Sequence, residues 1–258
     1  MKSFSLLLLL FFSMHSNSIK AEVWHSTEEW NSYWENEYQE WVQQNLSTNI
    51  FTTQEGILGR ISTDCADALY DIRIQFSYEH SLPFIINAPE VLKSKSKSKI
   101  FGNSTSMFDS ISNEKLRVRA FINYVNQEMG TETIFKDTFP VAIKEINAGV
   151  VYVVEWSLVG KVNRHSYILK GHDSNHELLY YASDAPRKVR KLQIDTKYPR
   201  FSYASAPFGF RRWRHPEHLL IDEKNIPSET GYSTEQYRLL EKVGKKRILK
   251  EIRRILQN

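Results

Sequence analysis

The chain has 258 residues and a formal charge of +4 at pH 7, with 41% hydrophobic, 25% charged and 13% aromatic side chains. This excludes a disordered, collagen-like or disulfide-dense protein, and the length is ample for a real core. A single cysteine excludes an internal disulfide and any multi-cysteine zinc or iron–sulfur site, and the mild charge does not suit a dedicated nucleic-acid binder.

Lys2 precedes an unbroken apolar run from Leu6 to Phe12, and polar residues follow from Ser13. That is the pattern of a secretory signal peptide over 1–21, too short to span a bilayer as a helix. Small residues place the cleavage after Ser18 or Ala21. No later stretch is apolar enough for a transmembrane helix, so the expected location is secreted or periplasmic. The remaining charge is uneven. Residues 22–60 carry seven acids and one base, whereas 187–258 carry 18 bases and eight acids. The two ends therefore attract each other or face different partners.

Trp30, Trp34, Tyr38 and Trp41 recur at spacings that predict one face of a helix over 27–45, started by Ser26 or Thr27. A second helix begins at Cys65. Asp64 is a good N-cap and Asp67 completes a capping box, while Cys65, Leu69, Ile72 and Phe76 share a stripe. The helix ends near 78–81, and 82–86 reads as a strand. The alternating Lys-Ser run at 93–99 reads as a solvated loop. Val118, Phe121, Ile122 and Val125 predict an inserted helix over 113–129, stopped by Gly130.

Beyond Pro140 the period changes. Runs at 150–156, 165–170 and 177–182 are rich in β-branched and aromatic residues, with turn residues between them, and predict an antiparallel meander closed by Pro186. An aromatic-basic cluster follows at 210–216. Its simplest reading is Trp213 and the arginine stems packed against the acidic N-terminal helix. A basic amphipathic helix is predicted over 233–256, which fits a weak contact with a membrane surface. The domain reading is a signal peptide (1–21), a core (22–190) and a basic extension (191–258). The fold class is α+β.

In a compartment that oxidises thiols, a lone cysteine is either buried and inert or kept for its reactivity. Cys65 stands on the first turn of a predicted helix, where free N–H groups and the helix dipole favour a thiolate. His165 opens one strand of the meander and Asp184 follows the next, so a hairpin brings an imidazole base and an orienting carboxylate together. The Cys65 N–H is one oxyanion donor; Gln54 and Trp41 are upstream candidates for a second. His165, His172 and His176, and separately His215 and His218, match no helical zinc spacing. These histidines are expected to be exposed, and no metal or cofactor is expected.

Residues 63–84 (TDCADALYDIRIQFSYEHSLPF) resemble the transglutaminase-like superfamily of papain-type cysteine hydrolases. Cys65, Asp67, Ala68, Leu69, Leu82 and Pro83 fit its cysteine helix. HSYIL (165–169) is similar to its histidine strand, and YYASDAP (180–186) to its aromatic strand ending in an aspartate. The resemblance implies a papain-like core, with Cys65 as nucleophile, His165 as general base and Asp184 as the orienting acid. It implies hydrolysis of an amide or isopeptide bond in a peptide, a protein or a cell-wall peptide, with no nucleic-acid partner. The alternatives are a peptidoglycan amidase of the same chemistry and a binding module that keeps the fold.

Overall fold

The computed structural model describes residues 22–96, 98–175, 177–196, 199 and 201–257. The stretch 1–21, read as a signal peptide, and His176 lie outside the described residues. In chain order the elements are α1 (Ser32–Asn45), α2 (Cys65–Glu79), β1 (Ile85–Asn87), α3 (Glu90–Ser96), β2 (Ile100–Gly102), α4 (Glu114–Glu128) and β3 (Thr138–Pro140). Then come β4 (Val151–Leu158), β5 (Lys161–His172), β6 (Leu178–Ala182), β7 (Gln193–Thr196), β8 (Gly209–Trp213), α5 (Glu235–Val243) and α6 (Ile248–Leu256). The protein is α+β. Among the described residues the main sheet has six strands in the order β3-β8-β4-β5-β6-β7, with antiparallel pairings throughout. A small sheet pairs β1 with β2. Among the described residues no helix is long and apolar enough to cross a membrane.

α2 is the central helix. The Asp64 carboxylate accepts from the N–H groups of Ala66 and Asp67, and Asp67 accepts from the Asp64 N–H, closing the expected capping box. Such a cap contributes about 1 kcal/mol. α2 packs against both β5 and α4, so it is buried nearly all round rather than along one stripe. Asp67, Asp71 and Arg73 are inside with Leu69, Ile72 and Phe76. Buried ionisable groups need partners, and these partners set the electrostatics described below.

Several boundaries differ from the sequence reading. α1 starts at Ser32 because Asn31, not Ser26 or Thr27, caps it by accepting from the Trp34 N–H. Trp30 lies before the helix but is buried, and its indole donates to the Pro83 carbonyl at 2.7 Å. Lys93 to Ser96 are not loop: they extend α3, where Glu90 pairs with Lys93 one turn on. The predicted terminal helix is two, α5 and α6, separated at Gly244, whose φ of 77° ends α5.

The largest correction concerns 191–258, which is no appendage. β8 sits between β3 and β4, and β7 forms the edge beyond β6. Arg211 on β8 is fully buried and donates to the Thr138 hydroxyl and carbonyl, both at 2.8 Å, and to Glu223 at 2.6 Å. The Gln236 side chain of α5 accepts from the Phe210 N–H and donates to the Phe210 carbonyl, each at 2.9 Å. A sequence rich in lysine and arginine hid a strand that the sheet cannot lose.

Candidate active site

Cys65 is the first residue of α2 and is 9% exposed. The segment before it is tied to the end of β6. Thr63 donates to the Ser183 hydroxyl, and Ser183 donates to the Thr63 carbonyl, each at 3.0 Å. Thr63 and Lys188 form a backbone bridge. Arg187 grips Asp67 through two nitrogens. The strap 183–188, which carries Asp184, is thereby held along the mouth of the cysteine helix.

β5 brings the strand side. Its pairing with β6 reaches only from Ile168 to His172, so the preceding part of β5 has an open edge. Leu169 donates to Val150 on the β4 side. N–H groups alternate along a strand, so the Ser166 N–H points to the open edge, and this N–H and the Ser166 hydroxyl oppose burial at the sulfur. The sulfur also lies 3.2 Å from the Thr131 hydroxyl. Thr131 and Ser166 were not singled out from sequence. Only tertiary packing reveals them: α2 against β5 for Ser166, and the turn after α4 against α2 for Thr131.

His165 is half-buried, next to Ser166 on β5, with its ring edge-on to Tyr167 at 4.6 Å between centroids. His165 and Asp184 line one cavity of about 540 Å³, with Trp156, Tyr167, Asp195 and Phe201. The Trp156 and Phe201 rings stack at 4.0 Å and give this cleft a flat aromatic wall. Asp184 is exposed and accepts from the Ala185 N–H at 2.8 Å. The structure thus brings His165 and Asp184 into one cleft; Cys65 is not among its lining residues and meets β5 at Ser166. No hydrogen bond joins the thiol to the imidazole, or the imidazole to Asp184, in this resting geometry.

The protonation states differ from the sequence expectation of a resting thiolate. Burial pushes the Cys65 thiol up; the Thr131 hydrogen bond opposes this and the Asp64 charge adds to it. Burial pushes the His165 imidazole down, against the pull of Asp184, Asp195 and Asp64. Both shifts favour the uncharged forms of the two groups. For the oxyanion, the Asp64 cap takes the N–H groups of Ala66 and Asp67 and leaves that of Cys65 out. Neither proposed second donor is placed to help. Trp41 packs on Phe76, toward the far end of α2, and Gln54 is exposed in a loop.

No family model matches the chain, and no curated protein or solved structure matches it either.

Proposed function

We propose that this protein is an exported cysteine hydrolase of the transglutaminase-like, papain-type class, which cleaves amide or isopeptide bonds through Cys65, His165 and Asp184. One observation carries the reading: the cysteine opens a helix packed on the strand that bears the histidine, and the strap bearing the aspartate is bonded to the residues just before that cysteine. The sulfur attacks the substrate carbonyl while His165 takes the thiol proton, because burial favours the uncharged imidazole. The carbon–sulfur bond forms, and the Cys65 N–H supports the oxyanion. The imidazolium then protonates the leaving amine as the carbon–nitrogen bond breaks. Water, deprotonated by His165, releases the acid and restores the thiol. Asp184 supports the imidazolium in both halves. Catalytic hydrogen bonds commonly tighten only when substrate fills the cleft, and the aromatic wall offers a surface for that substrate.

A second reading, a binding module that keeps the fold, is favoured by the thiol's bond to Thr131 rather than to His165. Peptide and wall-fragment electrophiles incubated with the protein separate the two. The enzyme reading expects one covalent adduct on Cys65, absent from Cys65→Ala, and turnover of the matching amide that falls about 10⁴-fold or more in that variant. Full hydrolysis by a folded Cys65→Ala protein overturns the mechanism. Adduct formation no faster than that of a free thiol favours the binding module.

A further inference from the structure

The sequence reading left His215 and His218 exposed and without a ligand role. In the structure their side chains are only 12% and 16% exposed. They flank Pro216 and Glu217 across a tight 3-10 turn at Pro216–His218. Residues three apart eclipse in that geometry, and the two imidazoles stack at 6.0 Å with 15° between planes. Their Nδ1 atoms both face the Glu217 carboxylate, His215 at 3.5 Å and His218 at 4.0 Å. One ligand atom from each of the three residues lies within 4.8 Å of the others. His218 Nδ1 is buried and has no hydrogen-bond partner.

Behind the turn stands Glu35 of α1. Its carboxylate lies 2.9 Å from Arg73 and 3.8 Å from Arg212. The carboxylate faces the other nitrogen of His215, Nε2, at 3.7 Å. A carboxylate behind an imidazole fixes its tautomer and makes it a better ligand in metal sites. The front of the cluster opens on a cavity of about 380 Å³ whose lining includes Glu145, Glu229 and Arg212. The acids of that wall exceed its one arginine, so a cation is favoured there.

We propose that His215, Glu217 and His218 form a binding site for a divalent transition-metal ion of the zinc type, with a fourth position open to this cavity. Two imidazoles and one carboxylate suit zinc and not calcium or magnesium, which take oxygen. Tetrahedral bonds of about 2.0–2.2 Å place ligand atoms roughly 3.3 Å apart. The Glu217 side chain, 55% exposed, is free to rotate and close the present gaps. The bound ion would clamp the turn after β8 and, through His215, tie it to the Glu35 carboxylate of α1. The site is independent of Cys65 and of the hydrolase reading.

The test is titration of the purified protein with Zn²⁺ against a chromophoric chelator, together with thermal melts with and without the ion. The expected result is one equivalent of zinc bound at micromolar affinity or tighter, an increase in Tm with zinc, and no such increase with Mg²⁺. Glu217→Gln, at the exposed end of the cluster, should weaken zinc binding at least tenfold with the apo melt unchanged, and His218→Ala should weaken it at least as much, whereas Cys65→Ser and His172→Ala should retain it. Absence of micromolar binding overturns the proposal. So does affinity that survives in both His218→Ala and Glu217→Gln, or that disappears in Cys65→Ser.

Discussion

The two flanks of α2 shift their buried carboxylates in opposite directions. Toward its N-terminal end, burial raises Asp67 to about 6, and burial raises Asp71 well above the ordinary range. On the other flank Glu35 is held at about 2. All three are out of water, so burial alone does not decide the outcome. Asp67 meets one arginine, Arg187, whose side chain is 35% exposed, and has Asp64 nearby as a like charge. Glu35 meets Arg73 at 2.9 Å, Arg212 at 3.8 Å and His215 at 3.7 Å. Arg73 is itself fixed over the Trp30 ring at 3.5 Å. The number and rigidity of the opposing cations set the sign. On the Cys65 flank burial outweighs the opposing charge, and on the Glu35 flank the cations outweigh burial.

The sharpest way to break this contrast is a pair of variants. His165→Ala should lower turnover of the amide identified with the electrophile panel by roughly 10²- to 10⁴-fold, the ordinary worth of a general base, with Tm unchanged. Glu35→Ala should do the reverse. It leaves Arg73 charged and unpaired inside the protein, a loss of about 3–5 kcal/mol in a denaturant melt, while the Cys65 cleft keeps its chemistry in the molecules that stay folded. If His165→Ala unfolds the protein, or Glu35→Ala leaves the melt untouched, the division of labour is wrong.

A smaller effect comes from pH. Asp67 binds its proton more tightly folded than unfolded, so its contribution to stability is full below about pH 4 and is lost as pH rises through about 6. Glu35 has the opposite sign: its contribution is full above about 4.5 and is lost as pH falls toward 2. Asp67→Asn should remove roughly 2 kcal/mol of the decline between pH 4 and 6, seen by comparing urea melts at the two ends of that range. An unchanged slope would mean that Arg187 neutralises Asp67 fully. The smallest effect is expected at Asp184, which is exposed and screened by water. Asp184→Asn should reduce turnover about tenfold, at the low end of general-base effects, and an unchanged rate removes it from the catalytic set.

The sequence alone determined much, though not all, of what depends on neighbours along the chain. The cap at Asp64, the box with Asp67, the α4 stripe and the β4–β5–β6 meander follow from local hydrogen bonding and from periods of 3.6 and 2. The acidic start and basic end do meet, one of the two outcomes their charges left open: Arg212 and His215 close on Glu35. Tertiary structure decided everything that depends on which surfaces touch. Arg211 reads as part of a basic cluster packed on the N-terminal helix, yet it is buried in the sheet between β3 and β4, where Thr138 and Glu223 satisfy it. Thr131 lies 66 positions from Cys65 and became its partner only through the packing of distant segments. Whether a thiol at a helix mouth is charged was likewise outside the reach of sequence, because the helix terminus is a local feature whereas the burial that opposes it is a property of the whole fold.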